Sequence, residues 1–429
     1  MSVAIHSIAY QRKSNAALDR AAHEATMSSS QSPVKPVLAT SDRLRNVAPY
    51  ALAQVFQARD EKLRQGVDVI DLGVGNPDLR PPDLAIDALK AALDDPKVQN
   101  HRYPSFNGLP EFRAGIAAWY RSRFGVEIDP SGEALPLVGS KEGIAKLLFA
   151  HVNPGDTILM CTPCYPAYLG VAALTQSRLI EVPLEARNRF LPDLGAIDRE
   201  DARRARFICV NYPNNPTGAV ETPEFYQDLL RFARDYDLFV ISDIAYCDLS
   251  LDPSYRARSF LEFDRERERA VEFHSFSKSY SMQGWRVGFA AGNREALAHL
   301  LKIKSNMDFG VFMAIQRAAL AVLTGPQDYC RQASATYRAR RDAFLGALAP
   351  LGYPVDPPKA TLYVWLPIPR RYASSLEFTR DLVDQTGVVV APGSGFGAAG
   401  EGYVRVALCD TEERLALAGE RMAKAGFSY

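Results

Sequence analysis

An α/β fold is predicted, on three observations. Short apolar runs rich in Val, Ile and Phe recur along the chain, helical patterns lie between them, and turn residues mark the joins. The strand candidates are Val67–Leu72, Leu135–Val138, Thr157–Met160, Leu179–Pro183, Phe207–Val210, Phe239–Ser242, Ala270–Phe273 and Gly288–Ala291. Among the helical candidates, Lys141–His151 sets Ile144, Leu147, Leu148 and Ala150 on one face. Glu224–Tyr236 spaces Phe225, Leu229, Phe232 and Ala233 in the same way. Buried strands alternating with such helices give a mainly parallel sheet covered on both faces. Past Gly325 the rhythm changes. A long helix over Tyr329–Leu348 leads to the strand runs Leu362–Leu366, Gly387–Ala391 and Tyr403–Leu408, read as a separate α+β unit.

The composition narrows the function. The 429 residues carry 50 Lys and Arg against 50 Asp and Glu, so no broad electrostatic footprint for nucleic acid or acidic membranes is expected. No apolar run approaches the roughly 18 residues of a membrane span, and a cytoplasmic enzyme is expected. The six cysteines are too sparse for a disulfide framework, and the Cys161–Cys164 pair is read as structural, with no metal site expected. Residues 1–40, with Ser28–Ser30, Ser32, Pro33 and Pro36, read as a flexible tail. The alternating charges of Asp264–Arg269 are expected to form a solvated surface.

Four segments carry chemistry. In Glu272–Gly288, an apolar strand delivers Lys278 among Ser275, Ser277 and Ser279, and Arg286 follows. A lysine with nearby hydroxyls and a rigid guanidinium suits a Schiff base to an aldehyde cofactor whose phosphate must be gripped. In Val240–Tyr246, Asp243 ends an apolar strand, where a carboxylate needs either a cation or the cap of a following helix. A protonated pyridine nitrogen is one such cation, with Tyr246 in reach of the ring's phenolic oxygen. Asn211–Gly218, with two prolines and a glycine, sits where a strand ends, the edge at which open α/β sheets bind ligands. Leu137–Gly143 joins a strand to a helix, whose first N–H groups suit a phosphate.

Taken together and in this order, these segments resemble the class I/II pyridoxal-phosphate-dependent aminotransferases of fold type I, from about residue 41 to the end. The resemblance implies a large domain over residues 81–321 with a seven-stranded sheet, and a smaller one built from 41–80 and 322–429. It implies that Lys278 binds pyridoxal 5′-phosphate covalently, that Asp243 pairs with its pyridinium, and that Tyr246 and Asn215 hold the phenolic oxygen. Ser275, Ser277 and Arg286 grip the phosphate with Ser140 and Lys141, while Tyr165 stacks on the ring. Tyr103 reaches the phosphate of a partner subunit, which implies a homodimer. Arg405 matches the clamp for the substrate α-carboxylate, and Gly75 and Tyr50 match positions lining the substrate pocket.

Within the family, Asn211–Ala219, Ser259–Glu262 and Glu272–Lys278 look closest to the LL-diaminopimelate aminotransferase group. That group moves an amino group between LL-2,6-diaminopimelate and 2-oxoglutarate on the route to lysine. Lys304–Gly310 and Met282–Trp285 resemble alanine–glutamate transaminases as well, and a β-lyase on the same scaffold is the third reading.

Overall fold

The computed structural model describes residues 38–47, 53–96 and 98–429. The tail reading for 1–40 and the pocket residue Tyr50 therefore fall mostly or wholly outside the described residues. The chain divides into two units. Of the first, which ends at Arg45, the one-turn helix Asp42–Arg45 is described. The second, Asn46–Tyr429, holds everything below.

Twelve strands occur among the described residues: β1 (Ile70–Asp71), β2 (Ala134–Leu137), β3 (Thr157–Thr162), β4 (Arg178–Pro183), β5 (Ala205–Asn211), β6 (Phe239–Asp243), β7 (Ala270–Ser275), β8 (Gly288–Gly292), β9 (Tyr363–Pro367), β10 (Val388–Val389), β11 (Ala391–Pro392) and β12 (Tyr403–Ala407). Seven of them form the central sheet in the order β2-β8-β7-β6-β5-β3-β4. The pairs from β4 through β7 are parallel, and only β8 runs against its neighbours β7 and β2. Alternate residues of each strand enter different cores. Leu159, Ile208, Val240 and Phe289 pack on one face with Phe112, Ile116, Trp119 and Leu229. Ile158, Phe207, Ile241 and Ala290 pack on the other with Leu147, Leu148, Val171 and Leu297. Helices thus cover both faces, which is why the strands are apolar at nearly every position.

The chain order reverses between β3 and β5, the switch point at which open α/β sheets form a crevice at the strand ends. Beyond the central sheet, β9, β12 and β11 form an antiparallel sheet, and β1 pairs with β10 in parallel. A third core gathers Tyr337, Phe344, Leu362, Val364, Phe378 and Val406.

Three sequence expectations change. The run Val67–Leu72 shortens to β1 and lies outside the central sheet, with Val67 38% exposed. Gly387–Ala391 is not one strand. Gly387 ends the helix Ser375–Thr386 at φ 71°, and β10 and β11 join different sheets. Asp264 in the charge run is fully buried rather than solvated, because its carboxylate accepts from the N–H groups of Glu268 (3.2 Å) and Arg269 (2.9 Å) and closes the turn before β7. The cysteines Cys161 and Cys164 are free and buried, and burial pushes the Cys161 thiol up to about 12. No helix among the described residues is long and apolar enough to cross a membrane.

One buried ion cluster sets the helix that opens onto the crevice. Lys304, at the end of helix Arg294–Met307, places Nζ 2.8 Å from Glu142 and 2.8 Å from Asp308. Lys146 pairs with the same two acids, and Glu142 also accepts from the Val138 N–H at 2.9 Å. The first turn of helix Ser140–His151 is thereby pinned to its neighbour. Removing a buried cation strands its partners, so Lys304→Met is expected to cost about 3 kcal/mol in urea unfolding. An unchanged midpoint and slope would show that Lys146 alone satisfies both acids.

Candidate active site

A cavity of about 250 Å³ lies at the ends of β5, β6 and β7 and is closed by residues from the C-terminal sheet. Asp243 ends β6 and is buried there. Burial pushes its carboxyl above the usual range. The Tyr168 hydroxyl, donating to Oδ2, and the Ala245 N–H, donating to Oδ1 at 3.0 Å, oppose that rise. The helix-cap reading of Asp243 does not hold, because a turn and not a helix follows β6; the carboxylate closes that turn through Ala245 and lines the cavity. Tyr246 follows in the same segment, its hydroxyl 3.2 Å from that of Tyr363.

Lys278 sits on the single helical turn Phe276–Ser279 that continues β7. Its Nζ donates to the Gly75 carbonyl at 2.7 Å and lies 5.9 Å from the centre of the Tyr246 ring. Gly75 has to lack a side chain, because a Cβ there would come within 2.0 Å of the Tyr363 hydroxyl oxygen. At the start of the same turn the Ser275 hydroxyl accepts from the Ser277 N–H at 3.3 Å, and both serines line the cavity.

Ser140 and Lys141 begin a helix, where the first N–H groups have no helical partner and favour an anion. Gly139 precedes them at φ 82°, and a Cβ on it would meet Arg286 Nη2 at 2.5 Å. The guanidinium, anchored by Nη1 to the Gln283 carbonyl at 2.9 Å, thus lies directly over the helix start. Lys141 also lines the cavity, with Nζ 6.0 Å from the centre of the Tyr165 ring. Tyr165 in turn stands perpendicular to Tyr168 at 5.6 Å.

On β12, Arg405 is buried between the rings of Tyr363 and Phe396, at 4.2 and 4.7 Å. It donates to Asn215 Oδ1 and to the Gly73 carbonyl, each at 2.9 Å, while Nε has no partner among the described residues. A buried guanidinium with a spare donor at a cavity wall suits a carboxylate. Asn211 holds Asn215 in place by accepting its N–H at 2.9 Å.

The class I and II aminotransferase family model matches residues 67–421. This chain belongs to that family. The aminotransferase is 47% identical over 380 residues to an LL-diaminopimelate aminotransferase of Desulforudis audaxviator, covering 89% of this chain and 96% of the relative. It is 42% identical to the one from Halothermothrix orenii, covering 91% and 99%. Among solved structures it resembles substrate-bound BacF from Bacillus subtilis (TM-score 0.86, 33% identity, covering 91% and 99%). It also resembles a probable N-succinyldiaminopimelate aminotransferase from Thermus thermophilus (TM-score 0.83, 38% identity, covering 87% and 100%). The family works with pyridoxal 5′-phosphate, and the cavity of this chain gathers a buried acid, an amine and a helix start beside a guanidinium.

The cavity brings together Ser140, Lys141, Tyr165, Asn215, Asp243, Tyr246, Ser275, Ser277, Lys278, Arg286, Gly75 and Arg405, all named from the sequence. Tyr103 stands apart. It is 79% exposed and packs on Phe309 with ring centres 4.4 Å apart, beside Phe106. Sequence reasoning missed Tyr168, Gln283, Tyr363 and Phe396, which also line the aminotransferase cavity. Tyr168 had a signal, since it lies one helical turn beyond Tyr165. Tyr363 and Phe396 had none, because they arrive from the C-terminal sheet and the turn after it.

Tyr168→Phe removes a donor that favours ionised Asp243, so the Asp243 pKa rises further and the acid limb of the pH–rate profile moves to higher pH. A profile that overlays the parent's would refute the role of the Tyr168 hydroxyl.

Proposed function

We propose that this aminotransferase exchanges an amino group between LL-2,6-diaminopimelate and 2-oxoglutarate, using pyridoxal 5′-phosphate and working as a homodimer. The observation that carries the choice of substrate is the set of relatives, 42–47% identical along nearly their whole length, that bear the LL-diaminopimelate aminotransferase name. The donor set of the cavity supports the cofactor. A buried carboxylate there calls for a cation, and Asp243 would pair with the ring nitrogen. The N–H groups of Ser140 and Lys141, the hydroxyls of Ser275 and Ser277 and the Arg286 guanidinium would hold the phosphate. Tyr246 and Asn215 would hold the phenolic oxygen, and Tyr165 would cover the ring.

When bound, the cofactor supplies an aldehyde to join the amino group and a pyridinium that draws electron density from the adjoining carbon. Lys278 then has two tasks. Its Nζ, now 2.7 Å from the Gly75 carbonyl, would hold the cofactor between turnovers, and the same amine, when free, would take the proton from the substrate Cα. Arg405 orients the substrate by its α-carboxylate through the donor left without a partner. A long dicarboxylate needs a second cation, and Lys141, which lines the same cavity, would meet the distal end. Amino donor and oxo acceptor use the same cavity in turn, which gives ping-pong kinetics.

Exposed Tyr103 and Phe309, packed beside half-buried Phe106, support the dimer, in which Tyr103 would reach the neighbouring site. A large body over residues 81–321 and a smaller one from 41–80 and 322–429 would enclose each site, in keeping with the separate sheets.

Lys278→Ala is expected to abolish both the visible absorbance gained with pyridoxal phosphate and all turnover; near-parental turnover would refute its role. Arg405→Ala is expected to raise KM for the amino donor, by the equivalent of about 2–5 kcal/mol, and an unchanged KM would contradict the clamp. A coupled assay offering LL-diaminopimelate or L-alanine with 2-oxoglutarate, with a parallel cystathionine arm monitored for pyruvate, tests the substrate. Turnover of alanine alone would move the enzyme to the alanine–glutamate group, and pyruvate release from cystathionine would mark a β-lyase.

A further inference from the structure

Behind Lys278 lies a buried polar cluster that amino transfer as described leaves without a task. His274 precedes Lys278 on β7 and Ser279 follows it directly, and both are fully buried. Both meet the same carboxylate. Asp248 Oδ2 accepts from the Ser279 hydroxyl at 2.8 Å and lies 3.3 Å from His274 Nε2, while Nε2 and Ser279 Oγ are 3.2 Å apart. The other carboxylate oxygen faces Arg123 Nε at 3.4 Å, at the end of helix Pro110–Phe124. The same guanidinium donates to the Cys247 carbonyl at 2.9 Å. Ser334 of helix Asp328–Leu348 donates to the Asp248 carbonyl at 3.2 Å. Burial works against ionised Asp248, but the hydrogen bond and charge of His274 and the charge of Arg123 outweigh it and hold the carboxyl well below its ordinary value.

Two other uses of these residues fail on geometry and chemistry. A serine–histidine–acid relay needs the two ring nitrogens to serve different partners, whereas Ser279 and Asp248 both meet Nε2. Cys247, Asp248 and His274 bring their ligand atoms within 4.8 Å of one another, as a metal site would. Arg123 and Ser279 already occupy the carboxylate, however, and burial keeps the Cys247 thiol protonated.

The turn that bears Lys278 is short, and its Phe276 carbonyl accepts from the Tyr280 and Met282 N–H groups at 3.1 and 3.2 Å. The Phe276 N–H reaches the Val287 carbonyl at 3.3 Å, and Ser275 caps the turn with one side-chain bond. Asp248 holds this turn from both sides of the lysine, and it belongs to the segment that runs on from Asp243 and Tyr246. One side chain therefore links the amine to the acid that it must face across the cofactor.

We propose that Asp248 is a positioning residue for Lys278: through Ser279 and His274 it sets where the amine stands relative to Asp243. This rests on the amino-transfer reading above. A misplacement of about 1 Å at a reacting group costs on the order of 10²-fold in rate, so the clamp should appear in kcat rather than in KM.

The test compares the holoenzyme with Asp248→Asn, Ser279→Ala and Glu272→Gln. Glu272 is the control: it is buried on the same strand but ties Ser242 and the Phe260 N–H, at 3.0 and 2.9 Å, away from the lysine. The readouts are kcat and KM for the amino donor, the rate at which pyridoxal phosphate is lost on dilution followed by the visible band, and the melting temperature. Asp248→Asn is expected to lower kcat by about 10- to 100-fold with KM within about twofold, and to speed cofactor loss. Ser279→Ala shifts both in the same direction by a smaller factor, and Glu272→Gln lowers the melting temperature while leaving kcat and cofactor loss near the parent's. Unchanged kcat and cofactor loss in Asp248→Asn overturn the proposal, as does a fall in kcat that Glu272→Gln reproduces at equal loss of melting temperature. Should Asp248→Asn not fold, Ser279→Ala is judged by the same criteria. A parent enzyme that takes up no pyridoxal phosphate defeats the amino-transfer reading itself, and the positioning role falls with it.

Discussion

A carboxylate shut away from water at the end of a central strand is the constraint on which the site depends. A phenolic hydroxyl, one N–H and the charges of His274 and Lys278 compensate Asp243 in part, and burial still holds its carboxyl above the ordinary range. Such a group is costly unless a cation arrives. In this aminotransferase the cation would be the ring of the cofactor, so the energy that disfavours the empty acid favours the loaded site. Lys278, Tyr246 and Arg286 are arranged around the same volume.

The sheet topology explains how residues so far apart in the chain converge. Parallel strands all end on one side, and Asn211, Asp243 and Ser275 are the final residues of β5, β6 and β7. A helix start brings Ser140 and Lys141 to the same edge, held there by the Glu142–Lys304 ion pair. The C-terminal sheet then closes the cavity from above with Arg405 and Tyr363. Tyr168 belongs to one packed cluster, Tyr246 and Tyr363 to a second and Phe396 to a third, so the cavity lies where these clusters meet.

Charge in this protein is used locally. The chain is formally neutral, yet the cavity holds Lys141, Lys278, Arg286 and Arg405 against Asp243 alone. A phosphate-bearing cofactor together with a dicarboxylate substrate would match that imbalance, and Arg serves where a planar fork is needed. The run Asp264–Arg269 illustrates the converse: alternating charges that read as surface conceal a buried Asp264 closing a turn.

Period and composition were enough to read the α/β class, because most strands buried on both faces are apolar runs set between amphipathic helices, while the seven-stranded sheet was implied by the family resemblance. Residue types in short segments pointed to a lysine, an acid and a phosphate-binding turn, and the resemblance to a family added their roles and the Arg405 clamp; the fold gathers these residues around one cavity. Local pattern could not assign Val67–Leu72 to the right sheet, because pairing depends on β10, more than 300 residues further on. Nor could it show that Tyr168 bears on Asp243, that Tyr363 crowds Gly75, or that Asp248 joins both sides of Lys278. Those contacts exist only once distant elements are packed to near-crystalline density, and no local spacing in the chain encodes that distance.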